Sequence, residues 1–583
     1  MQAYAAVRRS FDSATRQVSG LNGVRFWRAE KTTILLTPLV VVLGFLVLYP
    51  IGTLLVESFS APAGDARSLS AWQRAFAEPG MSVAIFNTLK VVLAVQLLAF
   101  PFAIFLSWLL ARTDIPGSRW LEVAFRTSFL LPSLGTTTGW LLMLDPTYGL
   151  LNRLLVDIGL FDTSPFNMYS FWGIVFAHLA SYSISAQVML LTPAFRNIDS
   201  SLEEASRSCG ASRIGTLARI LAPVLTPVLL VVFLMSLIRG LEAFEIELVL
   251  GTPIGFQVYS TKIYQLVRGS PPDYATATAL AVSILAIMLP LIVLQRWVTT
   301  RRSYVTVTGQ YRSSVTQLTR WRWPAFALVA AVVAFLTLAP LTFQLAASVM
   351  TVFGHFDLPQ AWTLRHWQAA LSDVTFTRGL RNTIVLGAAT ALFAVVVYAF
   401  VAYASVRMRH AWRGTLDILT WLPFAIPGVI LGLGYLWMFL QVPVLRPLYG
   451  TVWVLILVSW LAAMTLGVQI FKSRILQLGT DLEESARVVG GSWFRVFRDV
   501  IVRLSLPTMA VVATMVFAIT VRQVSTVVLL TAGPSTPLSI LQLEFLYGGE
   551  LETAGVVGSV IVCLSLAATL LIAVLTTRYG TRL

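Results

Sequence analysis

Long runs of apolar residues recur along the whole chain and constrain its fold more than any other feature of the sequence. A run of about 20 apolar residues forms a helix long enough to cross the hydrocarbon core of a bilayer. We therefore predict an all-α polytopic membrane protein with little room for a soluble domain. About twelve transmembrane helices are predicted, near residues 33–55, 84–111, 121–144, 170–193, 216–240, 277–298, 324–347, 382–406, 415–440, 450–471, 503–525 and 555–577.

Composition and charge support this class. Of the 583 residues, 57% are hydrophobic and 12% are charged, whereas about 25% are charged in soluble proteins. The net charge of +15 would suggest a nucleic-acid partner in a soluble protein, but Lys and Arg concentrate here in alternate loops between predicted spans. The positive-inside rule gives this distribution to cytoplasmic loops. We predict no nucleic-acid partner, contact with membrane lipids, cytoplasmic N- and C-termini, and an uncleaved first span.

The sequence contains two copies of one unit. Residues 68–76 and 363–371 share Leu, Trp, Gln and Ala, and the Asn-Thr pair at 87–88 recurs at 382–383. The first copy is longer in its middle, and we predict an insertion at 145–170. Because each copy holds six predicted spans, an even number, the repeats are expected to be parallel.

These boundaries divide the chain into four predicted parts. They are a cytoplasmic N-terminal segment at 1–32, a first repeat at 33–300, a linker at 301–323 and a second repeat at 324–583. The linker is basic and is interpreted as cytoplasmic. An alternative role for it is to bind lipid headgroups or a partner.

Two similar dodecamers, SLEEASRSCGAS at 201–212 and DLEESARVVGGS at 481–492, occupy corresponding cytoplasmic loops. Each predicts a short helix that Ser201 or Asp481 caps, with a Glu–Arg pair four residues apart. Gly210 and Gly490 are expected to end these helices with positive φ. An ordinary loop helix would explain one copy, but two copies predict equivalent docking surfaces for a two-fold symmetric partner.

The pattern Glu-Glu-Ala followed by Gly resembles the EAA loop of permeases in binding-protein-dependent ABC importers. The resemblance covers the whole chain and implies a fused, two-repeat permease with the MetI-like fold of type I importers, with EAA loops at 199–219 and 479–499. In that family the loop forms a coupling helix that docks on the ATPase subunit. The resemblance implies an ATPase-coupling role for Glu203, Glu204, Ala205, Arg207, Gly210, Glu483, Glu484, Ser485, Arg487 and Gly490, of which Ser485 replaces the usual Ala.

The resemblance also implies a setting and partners. It places the chain in the bacterial inner membrane with two copies of an ABC ATPase subunit and a periplasmic or lipid-anchored substrate-binding protein. The fused arrangement and the stretch at 239–264 are similar to iron(III)-type permeases, so ferric iron is the expected substrate. Thiamine, organophosphonate, polyamine and sulfate are the alternatives.

The chain itself is not expected to be an enzyme. None of its four lysines follows a glycine, so the Gly-Lys-[Ser/Thr] phosphate loop of an ATPase is absent from the sequence. We predict that ATP and Mg²⁺ bind to partner subunits, and that this chain holds no cofactor, catalytic residue or metal site. The alternative class, an ion-coupled secondary transporter, would relay ions through acids or His within the membrane. His178 in the fourth span is more typical of a helix–helix hydrogen bond.

Charged and polar residues follow the fifth span of each repeat. Such residues are costly near a membrane unless they pair or line water. We predict that they line the translocation path or its outer gate, the alternative being solvated span ends. They are Arg239, Glu242 and Glu245 in the first repeat and Arg522 and Gln523 in the second. Pro and Gly breaks at 131–135 and 423–428 are expected either to bound a cavity and bend during gating or to be static kinks.

Overall fold

The computed structural model describes residues 34, 36–60, 68–198, 200–301, 315–408 and 411–579. The predicted N-terminal segment at 1–32 and most of the linker at 301–323 lie outside the described residues. Within the described ranges every regular element is a helix, and β-structure is confined to two isolated bridges. The prediction of an all-α membrane protein is confirmed.

The helices of the first repeat are α1 Leu36–Glu57, α2 Ser70–Ala77, α3 Met81–Arg112, α4 Ser118–Leu130, α5 Ser133–Leu144, α6 Leu150–Asp157, α7 Phe171–Arg196, α8 Ser200–Ser208, α9 Arg219–Gly240, α10 Tyr259–Arg268 and α11 Tyr274–Arg301. The second repeat contains α12 Arg322–Ser348, α13 Arg365–Ser372, α14 Val374–Arg407, α15 Arg413–Trp421, α16 Gly428–Gln441, α17 Val452–Gln477, α18 Asp481–Val488, α19 Trp493–Val521, α20 Leu538–Gly548 and α21 Leu551–Tyr579. Apart from α6, which lies in the predicted insertion, the two lists match helix for helix.

Within the part of the chain that the structure describes, ten of the predicted spans are single helices long and apolar enough to cross a membrane. The third and ninth are each divided into two helices, α4 with α5 and α15 with α16. The second pair is bent by 112°. Pro132 and Pro427 precede the second helix of each pair, and proline cannot donate a backbone hydrogen bond and disfavours a helical residue before it. The breaks predicted from the sequence are therefore present.

The same side-chain contact holds a loop in both repeats. The Thr88 hydroxyl accepts a hydrogen bond from the N–H of Tyr259 at 2.9 Å, and the Thr383 hydroxyl accepts one from the N–H of Leu538 at 2.8 Å. The neighbouring asparagines donate to carbonyl groups of the same loops. The first N–H of α10 and of α20 is thereby satisfied, and the loop after each fifth span is attached to one end of the second span.

The two repeats interlock through their first helices. Helix α12 packs against α4 and α5, and α1 packs against α15 and α16. Glycine permits the close approach at equivalent places: a Cβ on Gly139 would lie 2.3 Å from the Pro340 oxygen, and one on Gly434 would lie 2.9 Å from the Pro50 oxygen. Each broken span therefore packs against the first membrane helix of the other repeat.

We expect Gly139→Ala to destabilise the protein, because the new methyl group would meet backbone that cannot move without separating α5 from α12. The expected loss is about 1–3 kcal/mol, the usual range for overpacking, measured as a lower unfolding temperature in detergent. Gly52→Ala is the matched control, since Gly52 also lies within a membrane helix but has open space where a Cβ would be. Equal unfolding temperatures for the two variants would contradict the interlocking contact.

Candidate functional site

The two dodecamer helices, α8 and α18, are separated by six spans, an even number, and therefore lie at the same face of the bundle, here called the dodecamer face. Each connects a fourth span to a fifth span. Gly210 has φ +78° and Gly490 has φ +84°, as predicted for residues that end these helices. The N–H of the next residue returns to the helix, from Ala211 to the Ser206 oxygen at 3.1 Å and from Gly491 to the Ala486 oxygen at 3.0 Å. Both helices therefore end in the same glycine turn.

The predicted caps at the start of these helices are wrong. Helix α8 begins at Ser200, so Ser201 is already helical. Helix α18 begins at Asp481, and Thr480 before it has helical backbone angles and no side-chain capping bond. Asp481 instead places a negative charge in the first turn, where the helix dipole favours it.

The first glutamate of each dodecamer is turned into the protein. Glu203 is 7% exposed and Glu483 is 5% exposed. Glu203 forms an ion pair with Arg112, and Glu483 forms one with Arg407 at 2.9 Å between Oε1 and Nε. The Tyr403 hydroxyl also donates to Glu483, at 3.2 Å. Because Arg112 and Arg407 are the last residues of α3 and α14, each dodecamer helix is anchored to the second span of its repeat.

The same arginines hold the end of the fourth span. Arg112 Nη1 donates to the Ile198 oxygen at 2.9 Å, and Arg407 Nη2 donates to the Ile475 oxygen at 2.9 Å. A cation is favourable at such a helix end, where backbone carbonyls lack partners. Sequence reasoning missed both arginines and treated them only as cytoplasmic charges. The available signal was their equivalent position at the end of the second span in each repeat.

The second glutamate and the following small residue face outward. Glu204, Ala205, Glu484 and Ser485 are all exposed. The Ser485 hydroxyl donates to a backbone oxygen of its own helix, at 2.7 Å. The replacement of Ala by Ser therefore adds a hydroxyl that the helix itself satisfies, and the exposed surface stays small at this position.

The predicted Glu–Arg pairs four residues apart differ in how far the structure tests them. Arg487 Nη2 lies 3.8 Å from Glu483 Oε2, so the pair in the second repeat is confirmed. The side chain of Arg207 lies outside the described residues, and its pairing with Glu203 stays a prediction.

The five residues predicted after the fifth spans line one cavity of about 300 Å³ at the junction of the repeats. They are Arg239, Glu242, Glu245, Arg522 and Gln523. Both broken spans also border this cavity, through Leu131 and Ser133 in the first repeat and Pro423 and Phe424 in the second. The structure therefore brings together features that are far apart in the sequence.

Arg522 joins the second repeat to the break in the first. Its Nη1 donates to the carbonyl oxygens of Phe129 and Leu131, at 2.9 and 2.8 Å. These carbonyls end α4, where a positive charge complements the helix dipole. Glu245 accepts a hydrogen bond from the hydroxyl of Ser133, the first residue of α5, where a negative charge is favourable. Opposite charges thus complement the two helix ends that the break creates.

Arg239 makes the reciprocal contact, from the first repeat to the break in the second. Its guanidinium lies 4.1 Å from the ring centroid of Phe424, a cation–π contact. Its Nη1 also lies 2.7 Å from Glu242 Oε2. The spacing of three residues would suit a pair along one helical face, but α9 ends at Gly240, so Glu242 reaches back from the segment that follows the helix.

A second pair, partly buried, includes a residue that lines the cavity. His178 Nε2 lies 2.6 Å from Glu247 Oε1, and Glu247 is fully buried. His178 therefore makes a hydrogen bond to a neighbouring segment as expected, but the sequence did not identify its partner. Among the described residues, no group of three or more His, Cys, Asp or Glu side chains is arranged to hold a metal ion.

Comparison with known proteins identifies the family. Residues 99–304 and 394–581 both match the family described as "Binding-protein-dependent transport system inner membrane component". Together they make up more than half of the chain. The chain belongs to this family. Each matched segment contains one dodecamer, and the prediction of a fused permease with two repeats is confirmed.

Two curated relatives of this permease are named as ferric transport permeases. The chain is 28% identical over 415 residues to the ferric transport system permease protein FbpB of Actinobacillus pleuropneumoniae, covering 69% of this chain and 58% of that one. It is 27% identical over 430 residues to the putative ferric transport system permease protein FbpB 1 of Haemophilus influenzae, covering 72% and 65%. The matches thus span about three fifths of these relatives' length.

Among solved structures, the permease is similar to a chain of a bacterial ABC transporter involved in the import of the acidic polysaccharide alginate. The two are 20% identical with a TM-score of 0.41, over 48% of this chain and 99% of the other.

We expect removal of one partner of the buried Arg407–Glu483 pair to cost more than removal of both. Arg407→Leu leaves the buried Glu483 with only the more distant and more exposed Arg487 as a cation, at a cost of about 3 kcal/mol or more, whereas the double replacement by Leu also removes the buried carboxylate and is expected to be milder. Denaturation of the detergent-solubilised single and double variants measures the coupling. Arg495→Leu, at an exposed position of the same face, is the control. Additive losses in the double variant would contradict the pairing.

Proposed function

We propose that this permease forms the translocation path of an ATP-driven ABC importer, with the dodecamer face in the cytoplasm. The observation that carries the proposal is the presence of one dodecamer in each family-matched segment, with both glycine turns exposed on one face. Two equivalent helices suit a pair of identical ATPase subunits. Because the sequence has no Gly-Lys phosphate loop, ATP and Mg²⁺ are assigned to those subunits.

In this proposal the residues of the dodecamers divide into two roles. The exposed Glu204, Ala205, Glu484 and Ser485 contact the ATPase subunits. The inward glutamates instead fix each dodecamer helix to the second span, through ion pairs that are costly to break because they are buried. When the ATPase subunits move, each dodecamer helix and the second span to which it is anchored then move together.

The cavity between the repeats is the proposed path. Arg239 and Arg522 each cross from one repeat to the break in the other, so these contacts must change if the repeats move apart. The cargo is proposed to arrive on the face opposite the dodecamers, delivered by a periplasmic or lipid-anchored binding protein. The chain is placed in the bacterial inner membrane because the matched family is described as an inner membrane component.

Ferric iron is the proposed cargo, because the two relatives described above are named as ferric transport permeases. Carboxylate oxygens such as those of Glu242 and Glu245 suit a hard cation during its passage. Thiamine, organophosphonate, polyamine and sulfate remain the alternatives. Ligand identification on the purified binding protein distinguishes them.

One observation favours a second candidate, an ion-coupled secondary transporter. The partly buried His178–Glu247 pair has the composition of a proton relay within a membrane protein. Reconstitution in vesicles separates the two classes. The importer requires ATP, the ATPase subunits and the binding protein for uptake, whereas the secondary transporter requires only an ion gradient.

We expect Gly210→Val with Gly490→Val to abolish the stimulation of ATP hydrolysis by the permease, because the turn at the end of each dodecamer helix would be strained by a β-branched residue at positive φ. The measurement is ATP hydrolysis by the assembled complex. Gly159→Val is the matched control: Gly159 has φ +72° and equally open surroundings, but it follows α6 in the insertion. Undiminished stimulation in the double variant would remove the dodecamers from coupling.

We expect Glu242→Gln with Glu245→Gln to lower the rate of uptake roughly tenfold, equivalent to about 1.4 kcal/mol of barrier. The neutral amides keep the shape of the side chains but leave the positive charges of Arg239 and Arg522 in the cavity unbalanced, so that a cation is repelled. Uptake of radioactive iron by vesicles, corrected for the amount of permease, is the measurement. Glu550→Gln, at an exposed position, is the control. Normal uptake at normal expression would exclude both glutamates from the path.

A further inference from the structure

The two dodecamer surfaces differ in apolar character although their backbones are alike. At the end of α18, Val488 is 86% exposed and Val489 is 84% exposed. The equivalent residues at the end of α8 are Ser208 and Cys209, which are also exposed. An adjacent pair of valines in water forgoes the stabilisation that burial of apolar surface supplies, so a molecule that covered the pair would gain binding energy.

Charge on the same helix indicates that this molecule is a protein rather than the bilayer. Asp481 and Glu484 are both exposed on this helix against one exposed cation, Arg487, which is directed to the buried Glu483, so the exposed charge of the helix is negative. The cytoplasmic surface of a membrane is negative, so it would repel these carboxylates as the valines approached it. A protein surface with an apolar pocket and a basic rim would accept both groups.

We propose that the second dodecamer surface, formed by Leu482, Glu484, Ser485, Val488 and Val489, binds the ATPase subunit more tightly than the corresponding surface of α8. This inference rests on the proposed function. Both surfaces share an exposed leucine and an exposed glutamate at the same places, Leu202 with Glu204 and Leu482 with Glu484. The valine pair is the added apolar area, and it lies beside the glycine turn that the two surfaces have in common.

The consequence is an ordered assembly. Two identical ATPase subunits would meet two unequal sites on one chain, so the first subunit would bind at α18 and the second at α8. The two identical ATPase subunits would then bind the second repeat more tightly than the first. A permease made of two identical chains could not distinguish its sites in this way.

The test counts ATPase subunits on single permease molecules. The full permease in lipid nanodiscs is mixed with the purified ATPase subunit of the same importer, and mass photometry measures the fractions that carry none, one and two subunits. Val488→Ser with Val489→Cys gives the second surface the residues of the first. We expect it to weaken the first binding step by roughly tenfold or more, which is the loss expected when burial of two valines is removed.

The reciprocal variant, Ser208→Val with Cys209→Val, is expected to strengthen the second binding step. Val444→Ser is the control, since Val444 is 84% exposed but lies between α16 and α17, away from the dodecamer face. If the valine-to-polar variant binds as the wild type does, or no more weakly than the control, the inference is overturned while the importer proposal stands. If the wild type binds no ATPase subunit, the importer proposal itself fails.

A second measurement identifies what covers the valines when no ATPase subunit is present. A polarity-sensitive fluorophore is attached to Val489→Cys in nanodiscs, in a background in which both native cysteines are replaced, Cys209→Ser and Cys563→Ala. Fluorophore emission that is typical of water, and that shifts to emission typical of an apolar environment when the ATPase subunit is added, supports the inference. An apolar signal in the absence of that subunit would show that the bilayer covers the valines, and would overturn it.

Discussion

The carbonyl groups released where the third span breaks place the strongest demand on this structure. An unsatisfied backbone group costs several kcal/mol in hydrocarbon, so irregular backbone within a membrane protein needs protein or water around it. Arg522 supplies the donors for Phe129 and Leu131, and it comes from the other repeat. The break, the contact between the repeats and the cavity therefore depend on one another. Arg239 repeats the arrangement at Phe424, where a ring takes the place of the carbonyls.

Around this junction the repeats share a scaffold but differ in charge. The threonine contacts and the close-packed glycines occur in both. At the start of α5, however, Ser133 contacts Glu245, while a Cβ on Gly428, the first residue of α16, would meet the Ser525 hydroxyl at 2.6 Å. The second repeat thus holds a glycine and a serine where the first holds a serine and a carboxylate. Fusion of the repeats in one chain allows this divergence, because each position then varies independently of its counterpart.

The sequence predicted the features that local chemistry determines. Hydropathy located the spans, proline located both breaks, and glycine located the ends of the dodecamer helices. Boundaries were less accurate: the eleventh span was predicted at 503–525, but α19 covers Trp493–Val521. Its early turns carry charged residues that hydropathy excludes and that packing at the dodecamer face accommodates. Arg522 and Gln523 consequently lie beyond the helix rather than within it.

The features that the sequence did not reveal are pairings between distant residues. Arg112 and Arg407 contributed to the prediction of topology, but Glu203 and Glu483 were predicted to pair within their own helices, with Arg207 and Arg487, and not with these arginines. The partner of His178 was missed for the same reason. Hydropathy and periodicity report how one segment meets its surroundings, and they contain no information about which buried acid faces which buried base. The sequence indicated these pairings in one way, through the repeat. Arg112 and Arg407 occupy the same position, at the end of the second span, in the two copies.

These pairings make α3 and α14 direct connections between the dodecamer helices and the loops at the cavity. At one end, Arg112 holds the dodecamer helix α8, and at the other, Thr88 holds the start of α10, the end of the loop that carries Glu242 and Glu245. Since α3 has 32 residues, the two attachments are separated by most of a helix about 48 Å long. A displacement of α8 would therefore reach the loop at the cavity through one helix. Helix α14, which has 34 residues, makes the same two attachments through Thr383 and Arg407, but Pro101 within α3 has no proline counterpart there. Because an interior proline is where a helix bends, α14 is the stiffer connection, and it is joined to the dodecamer with the more apolar surface.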